Sequence, residues 1–508
     1  MKQEEIAKEK IKTKRNPIVV VLGHIDHGKT TLLDYIRKSN VALKETGGIT
    51  QHVGAYEIEV PKKGDFSGGK ITFIDTPGHE AFSSMRSRGA KIADMALLVV
   101  AADDGVKPQT EEALKVIQDE KIPFIVVLNK MDKDSADPER AKKELGDLGV
   151  IFEEWGGKVP VSKVSAKTGD GVEELLELIV LVSDLEDLSS DLFGLAKGVV
   201  IESHLDSKRG NAATLLIRDG MVEKGNWIRA GESQVKIKIL EDFKGNSIEE
   251  AKASSPVRVV GFNLIPQVGS EFQVFDSLRE MEGAFENLQK KSGAAGMESF
   301  NEGVQIVPVV IKADVAGSLE ALLYELKKFE KPDLRLNVLR MEVGNISEDD
   351  IKLASSGSGA LVVGFRVKYD KSVVDFAERF KVSLGTFDVI YELGDWVKKE
   401  IEKVLPAEKI RKILGRAKII KIFKKEGSKL IVGGKVEDGA IYSSKRLTLL
   451  RRGFPLAEGR LIELRQGKTE VKEVAVGTEF GAMIDVNIDP AGGDEIEVYE
   501  EEIKKRLL

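Results

Sequence analysis

The chain has 508 residues, of which 42% are hydrophobic and 32% charged. That balance excludes a disordered polypeptide, and the length excludes a single core, suggesting three or four domains. A net charge of -7 excludes a polycation, so any nucleic acid would have to be met by a local basic surface. The lack of cysteine excludes disulfides, thiolate zinc sites and a cysteine nucleophile, and fits a reducing, cytoplasmic setting.

The first fifteen residues are charged throughout and carry no apolar h-region, so they are not a signal peptide. They read as a short solvated tail or frayed helix (1–15). No apolar run is long enough to span a bilayer, so no membrane is expected. From Pro17 the sequence PIVVVL reads as a buried parallel strand. GHIDHGKTT follows at once, fitting G-x-x-x-x-G-K-[ST] through Gly23, Gly28, Lys29 and Thr30, with His24, Ile25, Asp26, His27 and Thr31 completing the loop. Glycines let backbone N–H groups curl around a phosphate. Lys29 can reach the β/γ oxygens, Thr30 can ligate Mg²⁺, and the helix that follows starts at the anion.

Three further pieces come in order. ITFIDTPG (71–78) is a strand ending in Asp75, Thr76, Pro77 and Gly78. The Asp75 carboxylate can hold Mg²⁺ through a water, and the Gly78 N–H can meet a γ-phosphate. FIVVLNKMD (124–132) is a strand delivering Asn129, Lys130, Met131 and Asp132. A carboxylate at Asp132 can accept from both N1–H and the 2-amino group of guanine. Adenine would leave it unpaired, and lost pairing of this kind discriminates strongly. VSAKTG (164–169) offers Ser165, Ala166 and Lys167 to the base edge. In series the four pieces specify a GTPase using GTP/GDP and Mg²⁺.

The set GHIDHGKT, GGITQH, DTPGH, NKMD and SAK resembles the translational GTPases, and GGITQHVGAY (47–56) with DTPGHEAFSSMRSRGA (75–90) resembles bacterial translation initiation factor two. The resemblance runs from about residue 16 to about 504. Hydrolysis asks mainly that a water be held in line with the γ-phosphate. Many small GTPases use a glutamine just after the Asp-x-x-Gly turn, where this chain has His79. The resemblance implies that His79 orients the water, and that it is held back partly behind Ile25 and Ile49 until the ribosome positions it. It implies too that Thr50 caps Mg²⁺ beside Thr30 and Asp75. The other histidines, His24, His27, His52 and His204, show no zinc-ligand spacing.

The G domain (16–188) should close on the amphipathic helix of 171–188. Short strands with glycine turns over 196–276 read as an antiparallel β-barrel. Residues 277–303 read as helix plus linker. Strand and helix alternate over 304–393, which means a parallel-sheet α/β sandwich. Its helix 318–329 carries Leu319, Leu322, Leu323 and Leu326 on one face and Ser318 as its cap. A long connecting helix (394–412) and a C-terminal β-barrel (413–508) complete a multidomain α/β and β chain.

By resemblance, the last barrel binds the formylmethionyl end of initiator tRNA, with Gly434, Lys472, Glu479, Phe480 and Gly481 as candidate contacts. The family usually has cysteines where this chain has Gly434 and Phe480, and a glycine where it has Met483. The larger side chains of Phe480 and Met483 could reshape or fill the pocket. The implied partners are the small and large ribosomal subunits and initiator tRNA, the protein acting as a monomer. Alternatives are an archaeal- or eukaryotic-type initiation factor, a specialised elongation factor, or a ribosome assembly GTPase without tRNA cargo.

Overall fold

The computed structural model describes residues 12–38, 53–62, 68–191, 194–285, 305–357, 359–405, 408–426 and 429–504. Its contacts divide it into two compact units, Met1–Ile401 and Glu402–Leu508.

The first unit begins with a six-stranded sheet. Its order is Gly54–Val60, Gly69–Asp75, Ile18–Gly23, Met95–Ala101, Phe124–Asn129, Val161–Lys163. All neighbours are parallel except the first pair. Ile18–Gly23 and Met95–Ala101 are buried along their whole length, as β-branched runs with helices on both faces must be. Val20, Ile74 and Leu98 face one core, and Val19, Phe73 and Leu97 the other. Each such side chain stabilises the sheet by roughly 2 kcal/mol. Helix boundaries follow local chemistry. Pro138 opens Pro138–Asp147 while the Asp137 carboxylate accepts the Arg140 N–H at 2.9 Å.

Residues 12–14 are not free tail. Lys12–Lys14 pairs antiparallel with Ser189–Asp191. Arg15 then grips Asp94 through two bonds of 2.6 Å. A bidentate, largely buried ion pair of this kind fixes the chain before the first sheet strand. Residues 1–11 lie outside the described part.

Seven antiparallel strands come next, in the order Ser233–Lys236, Trp227–Ala230, Glu271–Phe275, Lys197–Asp206, Gly210–Asp219, Pro256–Phe262, Ile239–Asp242. They enclose a core that includes Val200, Leu215, Ile228 and Val259. This layer joins the first sheet without a gap. Ile201 and Leu216 share a cluster with Val20 and Ile74, and the Thr72 hydroxyl donates to the Ser254 carbonyl at 2.5 Å. The helix Leu278–Phe285 follows, and 286–304 lie outside the described residues.

The α/β layer is a four-stranded parallel sheet: Leu334–Val343, Gln305–Ala313, Leu361–Phe365, Ser383–Phe387. Its first helix is Ala316–Lys327, starting two residues before the expected cap. Ser318 is therefore buried inside the first turn, and its hydroxyl donates to Asp314 at 3.3 Å. The Asp314 carboxylate also accepts the Val315 N–H at 2.9 Å, so it organises the turn that Ser318 was expected to cap.

The connecting helix is Ile390–Val404, shorter at its end than the expected 394–412. A strand, Glu408–Glu426, already runs through 408–412. Pro406 lies outside the described residues, but proline cannot continue a helix and biases its predecessor toward extended backbone. In the second unit, six strands close on themselves: Glu408–Glu426, Glu495–Lys504, Arg446–Arg451, Phe454–Gln466, Glu479–Val486 and Lys429–Tyr442, which pairs back onto the first. Closure leaves no edge among these six strands.

Candidate nucleotide site and the histidine beside it

The carboxyl ends of three parallel strands meet at the point where the strand order reverses, the usual ligand crevice of such sheets. Ile18–Gly23 delivers the loop 23–30, Gly69–Asp75 delivers Asp75, and Phe124–Asn129 delivers Asn129. Gly28 sits at φ 80°, and a Cβ there would stand 2.6 Å from Asn129 Nδ2. No side chain fits at Gly28, so the loop backbone lies bare toward the crevice. The helix Lys29–Arg37 starts on Gly28, so its N-terminal end, which favours an anion, lies at the crevice.

Lys29 is buried, and its ammonium donates to the carbonyls of Gly23 at 2.9 Å and His24 at 2.7 Å. Burial pushes its pKa down, against the pull of the Asp75 carboxylate. A Cβ on Gly78 would lie 2.6 Å from Lys29 Nζ, so the Asp-x-x-Gly turn and the lysine crowd one spot. Thr76 is buried and its hydroxyl donates to Val21 O at 2.8 Å, which pins this turn to the loop strand. His24, Ile25 and Asp26 line the loop at partial or full exposure, while His27 is fully buried, with its Nδ1–H on Val99 O at 3.3 Å.

The base side of the crevice is an open cleft of about 660 Å³ lined by Gly28, Thr31, Asn129, Lys130, Asp132 and Lys167, among others. Asn129 Nδ2 donates to His27 O at 2.9 Å and its Oδ1 accepts the Ala166 N–H at 3.0 Å. The Ser165 hydroxyl donates to Asp132 Oδ1 at 2.8 Å, and holds that carboxyl below its usual range. Asp132 thus stays ionised and aimed as an acceptor. Lys130 adopts φ 62°, a left-handed turn that separates Asn129 from Asp132, and Met131 N–H donates to Val164 O at 3.2 Å. Pro77 is buried. The sequence-derived residues of the loop, the Asp75 turn, the 129–132 strand end and the 165–167 turn therefore surround one crevice. Thr50, Ile49 and His52 lie outside the described residues.

For a hard divalent cation, Thr30 and Asp75 supply a hydroxyl and a carboxylate, the oxygen donors that Mg²⁺ takes together with phosphate. Among the described residues no cluster of three histidine, aspartate or glutamate side chains could hold a metal unaided. The donor set fits an ion completed by phosphate oxygens and does not fit a protein-only cage.

Of the two residues expected to hold His79 back, Ile49 lies outside the described residues. His79 is 6% exposed, and part of its cover comes from the α/β layer. The imidazole meets the Tyr391 ring edge-on with centroids 4.4 Å apart, and Phe82 at 6.0 Å. Its Nδ1 accepts the Ala81 N–H at 3.0 Å and lies 4.0 Å from Glu325 Oε1. Burial lowers its pKa, although Glu325 opposes the shift. Arg86, buried, donates to His79 O at 2.5 Å and Pro77 O at 3.1 Å, bracing the turn from behind. Sequence reasoning missed Tyr391, Glu325 and Arg86. Tyr391 and Glu325 lie more than two hundred residues from His79, and no local spacing signals them.

In the second unit Gly434 pairs with Phe480, Gly433 with Gly481 and Lys435 with Glu479. Phe480 is buried in the barrel core. A Cβ on Gly434 would stand 2.8 Å from its ring, so the ring lies over the glycine. Glu479 and Lys472 are exposed, and Gly481 is half-buried. The Phe480 side chain therefore packs inward rather than presenting itself to a surface ligand.

Residues 14–184 match the Elongation factor Tu GTP binding domain family, 195–275 match Elongation factor G domain 2, and 284–398 match Translation-initiation factor 2. Translation initiation factor IF-2 of Persephonella marina is 43% identical over 498 residues, 96% of this chain and 56% of that protein. The Aquifex aeolicus factor is 40% identical, over 97% of this chain and 62% of its own length. The Halothermothrix orenii factor is 41% identical, over 97% of this chain and 73% of its own length. The chain thus spans between about half and three-quarters of these relatives. A crystal structure of GDP-bound aIF5B from Aeropyrum pernix is similar at 28% identity and a TM-score of 0.47, covering 96% of this chain and 92% of that one. With a GTP-binding domain at its start and this degree of identity along nearly all its residues, the chain belongs to the translation initiation factor IF-2 family.

Proposed function

We propose that the protein is a ribosome-stimulated GTPase of translation initiation. GTP-bound, it brings initiator tRNA to the small ribosomal subunit and promotes joining of the large one, and hydrolysis to GDP and phosphate releases it. The observation that carries this reading is the convergence of Lys29, Asp75, Asn129, Asp132 and Ser165 on one crevice, with His79 at its edge. The bare loop backbone and Lys29 bind the β/γ-phosphates. Asp132, kept ionised by Ser165, accepts from guanine and rejects adenine. Thr30 and Asp75, with Thr50 as a third candidate, would hold a Mg²⁺ ion, which would supply neutralisation of the phosphate charge. His79 is neutral here, and once turned toward the γ-phosphate it orients the attacking water by hydrogen bonding.

Turnover of GTP and ATP is to be measured with and without ribosomal subunits. Strong stimulation of GTP turnover alone is expected; a GTPase indifferent to ribosomes would remove the initiation reading. Among the described residues no helix is long and apolar enough to cross a membrane, and the protein is proposed to act as a cytoplasmic monomer.

A second reading concerns cargo. The Phe480 ring over Gly434 favours a factor that carries tRNA without selecting the formyl group. Equal affinity of the whole chain for formylated and unformylated methionyl initiator tRNA supports it, and a clear preference for the formylated form sinks it.

A further inference from the structure

The segment from His79 to Gly89 is clasped by the α/β layer at several places. The His79 ring packs on Tyr391 of the helix Ile390–Val404. The Tyr324 hydroxyl donates to Glu80, and Lys328 stands 3.7 Å from the same carboxylate. Arg88 pairs with Glu320, which also accepts the Ser84 hydroxyl at 3.1 Å. The Met85 methyl lies against Gly317, where a Cβ would collide with it. Tyr324, Glu320 and Gly317 all belong to the helix Ala316–Lys327.

The clasp acts on the orientation of one imidazole. The Ala81 N–H donates to Nδ1, and Tyr391 packs edge-on against the ring. His79 is thereby held by groups that do not belong to the nucleotide crevice. The Tyr391 hydroxyl itself feels the loop carboxylate: burial raises its pKa, and Asp26 adds to that. The residue is also 51% exposed, so it is a cover and not a core element.

We propose that Tyr391 is a positioning residue that keeps His79 in a resting orientation, so that the α/β layer restrains GTP turnover until its two helices lift from the 79–89 segment. This rests on the reading of His79 as the group that orients water. Whatever draws the helices away releases the imidazole by removing one aromatic neighbour and one clasp. The balance between resting and active orientations then shifts by the free energy with which Tyr391 favoured the resting one.

The test uses the whole chain without ribosomes. Tyr391→Ala is expected to raise the intrinsic kcat for GTP roughly two- to tenfold, the range set by one edge-on aromatic pair, with KM unchanged. Tyr391→Phe keeps the ring and is expected to leave kcat at the parent value. Adding His79→Ala to Tyr391→Ala is expected to cancel the gain. Glu320→Ala, which loosens the clasp away from the ring, gives a smaller rise in the same direction. An unchanged kcat in Tyr391→Ala overturns the proposal whatever Glu320→Ala does, as does a gain that survives His79→Ala. If His79→Ala alone keeps full ribosome-stimulated turnover, the reading of His79 itself falls; if it abolishes that turnover while Tyr391→Ala changes nothing, only the restraint falls.

Discussion

Asn129 ties the two walls of the nucleotide crevice to each other: its Nδ2 donates to the His27 carbonyl at 2.9 Å and its Oδ1 accepts the Ala166 N–H at 3.0 Å. The side chain is 1% exposed, so breaking either bond leaves a buried partner unsatisfied. Asn129→Ala is expected to cost about 2–3 kcal/mol of stability and to weaken GTP and GDP alike, by roughly tenfold or more. Denaturant unfolding and nucleotide titration check both.

Among the described residues the His79 ring meets Ala81, Phe82, Glu325 and Tyr391, none of which lines the nucleotide crevice. His79→Ala should leave GTP affinity within about twofold while lowering ribosome-stimulated turnover at least a hundredfold, the ordinary worth of a positioned proton-handling group. Single-turnover hydrolysis on ribosomes is the measurement. Turnover at the parent rate would remove His79 from the mechanism.

Asp132 is proposed to recognise the base as an ionised acceptor. Asp132→Asn offers an amide that can donate, which suits xanthine, whose 2-position carries an oxygen. GTP affinity is expected to fall by about a hundredfold or more and XTP affinity to rise. Competition between the two nucleotides reads it directly.

His27 is buried beside the phosphate loop, and desolvation takes its pKa from 6.5 to about 4. The unfolded chain therefore takes up a proton at a pH where the folded one does not. The corresponding stability is full above pH 6.5 and is lost as pH falls toward 4, by on the order of 3 kcal/mol. His27→Gln should flatten the slope of unfolding free energy across that window, even if its absolute stability is lower.

Gly434 and Phe480 are expected to behave as one unit. Gly434→Ala places a methyl 2.8 Å from the Phe480 ring and closer still to Lys418 O, and should destabilise the barrel by about 1–3 kcal/mol. Phe480→Leu in the same chain should relieve part of the clash with the ring, giving a non-additive double variant. Strict additivity would mean that the carbonyl clash alone sets the cost.

Much of the site was legible in the sequence because its chemistry is local. Gly23 to Thr30 forms one loop, Asp75 to His79 one turn, and Asn129 to Asp132 one strand end, so spacing along the chain carries the geometry. The parallel and antiparallel layers were legible for the same reason: buried runs such as IVVVLG and the glycine-punctuated short strands state their periodicity outright. What spacing cannot carry is a partner brought from far along the chain. Lys12–Lys14 reads as solvated tail because its strand partner is Ser189–Asp191. Ser318 reads as a cap for a local reason instead: the helix begins at Ala316, two residues earlier than its apolar spacing suggests, and the Asp314 carboxylate takes over the turn.

By itself, then, the sequence determined the nucleotide chemistry and the succession of layers, since both rest on residues close in the chain. Only the tertiary structure decided that Tyr391 covers His79, that Asn129 bridges two loops, and that Phe480 turns into the barrel over Gly434. Each of these is a packing choice between segments far apart in sequence, fixed by which buried surfaces fit together and not by any local pattern.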